Sequence, residues 1–134
     1  AYDPKHKDTL PYYDRFPLIF PINKAKGGFL GINMHYLPPI LRAKLMDQLY
    51  TVLNNKNFDE TTRLSASYKI LNGAAKFKEF QPCVKHYLNA HVRTKPAYIN
   101  PSEWDIALFL PTQKFVGATA TQVYADSRKI ARGR

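Results

Sequence analysis

The sequence predicts an α+β fold with an N-terminal arm, a β-hairpin, several short helices and a basic C-terminal helix or tail. Two short apolar segments flank the stretch KAKGG at 24–28, as in a β-hairpin. Leucines recur at helical spacing after a double proline, as in an amphipathic helix. The chain has 134 residues, of which 45% are hydrophobic, so one domain can enclose a core.

The first fifteen residues predict an arm that lies on the surface of the domain. Pro4 and Pro11 favour an extended backbone in the residues before them. Three tyrosines are the expected anchors of the arm: Tyr2, Tyr12 and Tyr13. The predicted division of the chain has three parts: an extended arm at 1–15, a single α+β domain at 16–118 and a basic C-terminal helix or tail at 119–134.

The hairpin is predicted from two segments. PLIFPIN at 17–23 reads as a strand, and Pro21 places it at the edge of a sheet because proline cannot donate to the ladder. FLGINMHY at 29–36 reads as the second strand, with Gly31 as a candidate bulge. The five residues of KAKGG form the predicted loop, in which both glycines can adopt positive φ.

LPPILRAKLMDQLYTVLNN, at 37–55, predicts an amphipathic helix of about four turns. Pro38 and Pro39 suit its start, where a missing N–H costs least. The expected inward residues are Leu41, Leu45, Leu49 and Val52. We expect Arg42 on the polar part of the helix surface, and Asn54 or Asn55 at the end of the helix.

A second helix is predicted before Gly73, which can end it, with Asp59 or Thr61 as its cap. Its expected inward residues are Leu64, Tyr68 and Leu71. Phe77 and Phe80 predict a further apolar turn. Pro82 then interrupts the chain, and a short helix is expected to carry Val84, Tyr87 and Leu88.

The remaining third of the chain predicts one extended segment and two helices. RTKPAYIN reads as extended. NPSEWDIALFLP supplies a helix start at Asn100, although WDIALFL also suits a buried strand, and Pro111 ends either element. Thr119 or Thr121 can cap a last helix. The expected inward residues of that helix are Val123, Tyr124 and Ile130.

The net charge of +10, from 20 basic and 10 acidic residues, is the strongest compositional signal. Such an excess favours contact with a polyanion or with an acidic protein surface, and a solvated basic surface is the alternative. The excess is uneven, because residues 63–95 hold seven basic residues against one acid and residues 128–134 add four more basic residues. The candidate DNA contacts are Lys76, Lys78, Lys85, Arg93, Lys95, Arg128, Lys129, Arg132 and Arg134.

Aromatic residues lie among these cations. They can stack on exposed bases or belong to the core, and their spacing favours the core for most of them: Phe77, Phe80, Tyr87 and Tyr98. Lys24 and Lys26, in the predicted hairpin loop, can offer ammonium groups to a phosphate or remain solvated. We expect the hairpin to be a fold element whose tip is free for a partner.

The sequence offers little support for catalysis, so we expect a protein that is not an enzyme and needs no cofactor. It contains no nucleotide-binding, hydrolase or zinc-protease motif. Cys83 and His86 have a C-x-x-H spacing, but a zinc site needs further ligands, and packing explains the lone cysteine better. A small metal-dependent nuclease built on Glu103 and Asp105 is an alternative. No apolar run reaches eighteen residues, so no membrane association is predicted.

Five stretches together resemble a known family: LPYYDRFPLIFPI, GGFLGINMHYLPP, CVKHYLNAHVR, PSEWDIALFLPTQKFVGA and SRKIARGR. The chain resembles small virion proteins of T-even-like tailed phages, of the kind labelled DNA end protector. The resemblance implies a protein at or near the head–tail connection that shields the end of the packaged genome from exonuclease. It supplies no catalytic residue.

The resemblance also implies partners and a location. We expect other phage structural proteins as neighbours in a multi-subunit symmetric assembly, with double-stranded DNA as a further partner. The protein would be made in the host bacterial cytoplasm, as its single cysteine suggests, and reside in the virion. The alternative is a purely structural neck, tail or baseplate adaptor whose basic surface meets acidic protein neighbours.

Overall fold

A computed structural model describes residues 1–4, 10, 12–109 and 115–133 of the chain. It confirms the predicted α+β class. The strands are β1 (Tyr13–Asp14), β2 (Ile19–Ala25), β3 (Gly28–Asn33), β4 (Val84–Leu88) and β5 (Phe115–Val116). The helices are α1 (Pro39–Leu53), α2 (Glu60–Ala75), α3 (Trp104–Phe109) and α4 (Ala120–Arg132). Single 3₁₀ turns lie at Met34–Tyr36, Gln81–Cys83, Asn89–His91 and Pro101–Glu103.

The main sheet is antiparallel, with the strand order β2, β3, β4. β2 is an edge strand of this sheet, as Pro21 predicts. The register between β2 and β3 shifts between Pro21 and Asn23, so that Ile22 is the extra residue. The irregularity therefore lies on β2, and the prediction of a bulge at Gly31 is wrong.

The hairpin turn is shorter than the predicted loop of five residues. β2 continues to Ala25 and β3 begins at Gly28, which leaves only Lys26 and Gly27 between the strands. Gly27 has φ of +75°, a conformation that glycine adopts at little cost. Gly28 is required for another reason, because a Cβ atom there would lie 1.7 Å from the backbone oxygen of Tyr87.

The core lies between the sheet, α1, α2 and α4. Its largest fully buried side chains include Ile32, Met34, Leu37, Leu45, Leu49 and Val123. Helix α1 starts as predicted, with Pro38 at the cap and Pro39 in the first turn. Arg42 is only 2% exposed, so its predicted place on the polar surface is wrong. It precedes Leu45 by three residues and Leu49 by seven, a spacing that puts it on the inner face of the helix.

Helix α2 confirms Asp59 as its cap, because the Asp59 carboxylate accepts a hydrogen bond from the Thr62 backbone N–H at 2.7 Å. The helix continues past Gly73 to Ala75, so the predicted end at Gly73 is wrong. Of its three expected inward residues, only one is buried. Leu71 is 5% exposed, whereas Leu64 and Tyr68 are 58% and 43% exposed.

The segment after Pro82 is a strand, and the predicted short helix there is wrong. β4 pairs with β3, with Tyr87 opposite Phe29 and Val84 opposite Ile32. Short apolar runs suit either conformation, and the free backbone edge of β3 decides in favour of the strand. The preceding turn buries Phe80 and leaves Phe77 63% exposed.

The C-terminal part contains the two predicted helices. The Asn100 side chain accepts a hydrogen bond from the Ser102 N–H at 3.1 Å, and α3 follows, so the alternative of a buried strand is wrong. Pro111, the expected end of this element, lies outside the described residues. Thr119 caps α4 with a complete capping box involving Gln122.

The described residues of the N-terminal segment lie against the rest of the molecule. β1 pairs with β5, and the Tyr2 ring contacts the Tyr87 ring edge-on at a centroid distance of 5.0 Å. The Tyr12 hydroxyl donates a hydrogen bond to Asp126. Pro11 lies outside the described residues. The division of the chain at residues 15 and 118 stays a prediction. Within the described parts, no helix is long and apolar enough to cross a membrane.

Candidate nucleic-acid interface

Helix α4 separates an apolar inner face from a basic outer face. Val123, Ser127 and Ala131 recur every four residues and are buried at 0%, 3% and 5% exposure. The three described cations of the C-terminal segment are exposed: Arg128, Lys129 and Arg132. Lys129 and Arg132 lie in the last turn, where positive side chains interact favourably with the helix dipole. The docked inner face thus fixes the direction in which the cations point.

Three polar contacts hold α4 in place. Ser127 Oγ donates to the backbone oxygen of Tyr36 at 3.1 Å. Asp126 accepts a hydrogen bond from the Tyr12 hydroxyl. Arg42 Nη2 donates to the Tyr124 hydroxyl at 2.7 Å. α4 is therefore anchored to the N-terminal segment, to α1 and to the 3₁₀ turn at Met34–Tyr36.

Lys76 and Lys78 extend the basic surface beside α4. They are exposed and lie in the turn that leads directly into the 3₁₀ turn Gln81–Cys83. α4 packs against that 3₁₀ turn. We call these five exposed cations the helix patch: Lys76, Lys78, Arg128, Lys129 and Arg132.

A second group of predicted contacts lies on the hairpin and on the segment that follows β4, and we call it the hairpin patch: Lys24, Lys26, Arg93 and Lys95. The Asn89 N–H donates to the Gly27 backbone oxygen at 3.0 Å, which joins the turn to the segment that carries Arg93. The Arg93 guanidinium lies 3.3 Å from the Asp3 carboxylate, and the two side chains are 54% and 37% exposed. The acid offsets part of the charge of this patch, whereas no ion pair to the helix patch occurs among the described residues.

Lys85 differs from the other predicted contacts, because its side chain is largely buried. Its Nζ lies 4.2 Å from the centroid of the Tyr36 ring, a cation–π geometry. Burial lowers the pKa of Lys85, and the nearby Cys83 and Asp126 oppose this shift. Lys85 therefore contributes to the interior under α4, and we leave it out of the candidate interface. Arg134, the last predicted contact, lies outside the described residues.

A buried polar network, which sequence reasoning missed, links the strands of the domain interior near Lys85. Asp14 Oδ2 lies 2.7 Å from His35 Nδ1 and accepts from Asn33 Nδ2 at 3.2 Å. Asn33 Nδ2 also donates to the Tyr87 hydroxyl at 2.9 Å. Burial is the main cause that raises the pKa of Tyr87 well above its ordinary value. These contacts tie β1, β3 and β4 together.

Arg42 completes the interior contacts. Its Nε donates to the Leu37 backbone oxygen at 2.7 Å, and Nη2 lies within 3.3 Å of the His35 backbone oxygen. Burial lowers the pKa of Arg42, and the Tyr124 hydroxyl opposes the shift. The helical spacing of Arg42 to Leu45 is the signal that could have identified it as a buried residue.

The residues considered for metal binding do not converge. Cys83 is fully buried, and burial raises the pKa of its thiol to about 12, whereas His86 is exposed and binds the Lys26 backbone oxygen at 3.0 Å. The described residues contain no group of three or more candidate metal ligands. Asp105 is one of the two candidate carboxylates of the nuclease alternative, and its side chain lies outside what the structure describes.

The comparison with protein families shows to which family the chain belongs. The family described as phage T4 terminal DNA protecting protein matches residues 1–131. The chain belongs to this family. Neither the comparison with curated proteins nor that with solved structures gives a match. The family confirms the resemblance to a DNA end protector of T-even-like phages, so this chain is a phage virion protein that protects DNA ends.

Proposed function

We propose that the protein binds double-stranded DNA without sequence preference through the helix patch and covers the end of the packaged genome at or near the head–tail connection. The orientation of α4 carries this proposal, since its apolar face is docked and its cations face outward. Cationic side chains that neutralise phosphates bind any DNA sequence, because the phosphate backbone is the same throughout the duplex.

The helix patch suits a polyanion better than it suits a single small anion. One turn of helix separates Arg128 from Arg132, or about 6 Å along the axis. Lys76 and Lys78 add charge in the adjacent turn. A row of this kind can contact several phosphates of one duplex at once. A small anion offers only one charged group and cannot contact the whole row.

Protection in this proposal is steric and needs no reaction. An exonuclease must reach the terminal nucleotide, and a protein bound there excludes it. The protein then acts without a cofactor and is not an enzyme. It resides in the virion after synthesis in the host cytoplasm, among other phage structural proteins in a symmetric assembly. The exposed apolar side chains of Ile40 and Ile106 provide surface for such neighbours.

The experiment is binding of a linear duplex at salt concentrations from about 50 to 200 mM. We compare the wild type with Arg128→Gln/Lys129→Gln/Arg132→Gln, which we call the α4 variant. Three phosphate contacts contribute about 2.7 to the slope of log K against log salt, or about 40-fold in affinity over that range. The α4 variant is expected to lose up to this amount and to leave DNA ends open to exonuclease.

The control is Lys44→Gln/Lys56→Gln/Lys69→Gln, which removes three exposed charges from α1, from α2 and from the connection between them. It should retain most of the salt slope and of the protection. Wild-type binding that does not respond to salt, or an equal loss in both variants, contradicts the proposal and favours the structural adaptor with acidic protein neighbours.

A further inference from the structure

A large groove on the molecule is separate from the helix patch. It lies between β2, the end of α1, one face of α2 and the segment at 94–104, and its volume is about 1390 Å³. Small-molecule sites usually measure about 300–1,000 Å³. The size of the groove therefore suits a segment of a polymer better than a small ligand.

Exposed aromatic and apolar side chains line this groove. Tyr98 is 85% exposed, Phe16 48% and Tyr68 43%, with Leu64 at 58% beside them on α2. The rings of Phe16, Tyr68 and Tyr98 are thus open to solvent and line the same groove. We call this site the aromatic groove and define it by Phe16, Leu64, Tyr68 and Tyr98.

The charges around the aromatic groove favour an anionic polymer. Arg63 and Lys95 line it, and Glu60 is the single acid among the described residues of its lining. Arg63 is held in place, because Nη2 donates to the Asn55 backbone oxygen at 3.0 Å. An apolar peptide would gain little from these cations, whereas a nucleic-acid strand offers both phosphates and flat bases.

One polar group in the groove wall lacks a hydrogen-bond partner. Ser67 Oγ is the one buried side-chain polar atom in the described part of the chain for which the structure gives none. Ser67 lies between Leu64 and Tyr68 on the α2 wall and is 8% exposed. Buried polar atoms in folded proteins are nearly always paired, which makes Ser67 Oγ an exception in this wall.

We propose that the aromatic groove binds unpaired nucleotides at the DNA terminus. This proposal rests on the proposed DNA-end function. Inside a duplex, the base faces are stacked and out of reach, and they become accessible only in single strands or at ends. Phosphate contacts cannot distinguish an end from the interior. Tyr68 and Tyr98 stack on the exposed bases, Arg63 and Lys95 meet the phosphates, and the protein thereby recognises a terminus.

The test measures fluorescence anisotropy with three DNA probes of equal duplex length. One probe carries a single-stranded overhang of about six nucleotides, one is blunt, and one is a closed circle. The variants are Tyr98→Ala and Tyr68→Ala. Ile40→Ala is the control, because Ile40 is 72% exposed and lies outside the groove and outside both basic patches.

The wild type should bind the overhang at least about tenfold more tightly than the circle. Each tyrosine variant should lose about 5- to 150-fold on the overhang, the loss expected for one stacked base, with no change on the circle. Ile40→Ala should bind all three probes as the wild type does. Folding is checked by circular dichroism, and Tyr98→Ala removes a side chain that is almost wholly solvated.

Equal affinity for all three probes, or tyrosine variants that bind the overhang as tightly as the wild type, overturns the inference and assigns the groove to a protein partner. This result is separable from failure of the proposed function. If only the inference fails, the α4 variant still weakens binding to every probe. If the proposed function fails, binding to the circle does not depend on salt or on α4.

Discussion

Arg42 and the cations of α4 carry the same charge in opposite surroundings. Arg42 is 2% exposed and donates its hydrogen bonds to two backbone oxygens and a tyrosine hydroxyl. Arg128, Lys129 and Arg132 are exposed on the outer face of α4. The difference indicates that a basic sequence combines two roles. Interior cations hold the fold that orients α4, and exterior cations are available to DNA.

The largest effect should come from removing the interior cation. Arg42→Met leaves the carbonyls of Leu37 and His35 without their donor, and we expect a loss of about 3 kcal/mol or more in the free energy of unfolding. Urea denaturation at pH 7 measures this loss. Lys44→Met, on the exposed side of the same helix, should change stability by less than about 0.5 kcal/mol. Similar losses in the two variants would remove the distinction between interior and exterior cations.

The two exterior patches should differ in their contribution to DNA binding. Lys24→Gln/Lys26→Gln removes the two hairpin charges of the patch that also contains the Asp3–Arg93 ion pair, and we expect it to lower the salt slope by less than about 1. Removing two charges from α4, by Arg128→Gln/Arg132→Gln, should lower the slope by about 1.8. Filter binding at several salt concentrations measures both slopes. A larger loss for the hairpin variant would make that patch the principal contact.

A smaller effect is expected from the cap of α4. Thr119 accepts from the Gln122 N–H at 3.2 Å, and its own N–H donates to the Gln122 side chain at 2.8 Å. Thr119→Ala should cost about 1 kcal/mol in the free energy of unfolding. Since all charges remain, the folded variant should bind DNA with the wild-type salt slope. A reduced slope at a temperature where the variant is folded would show that the cap itself takes part in binding.

The smallest effect at neutral pH is expected for Lys85. Lys85→Met keeps a similar shape and removes a buried charge, so stability at pH 7 should change by less than about 1 kcal/mol. Burial lowers the pKa of Lys85, so the unfolded chain binds more protons at this site than the folded protein does. The wild type should therefore gain stability relative to Lys85→Met as the pH rises toward the unfolded lysine pKa of about 10.4. Urea unfolding of both proteins at pH 7 and pH 10 measures this difference, and a gap that moves the other way contradicts the burial of Lys85.

Much of the fold could be predicted from local chemistry. The double proline before α1, the cap at Asp59, the proline in an edge strand and the cap at Thr119 each depend on neighbouring residues alone. β4 could not be predicted in this way. Its conformation depends on pairing with β3, more than fifty residues away in sequence.

The candidate site could be predicted only in part, for the same reason. Charge counting identified the cations of α4 together with Lys85, although one group faces solvent and the other lies over the Tyr36 ring. Sequence spacing does not reveal that the Tyr68 and Tyr98 side chains share a groove, since different elements carry them. Burial and distant contacts are tertiary properties, which local pattern does not encode.

The small inner residues of α4 have a consequence for the rate of association. Because Ser127 and Ala131 let the helix sit close to the Tyr36 backbone, its cations are ordered before any ligand arrives. A disordered basic tail must lose conformational entropy when it associates, whereas a docked helix does not. Capture of a DNA end should then proceed without a folding step, at a rate set by diffusion and by electrostatic attraction.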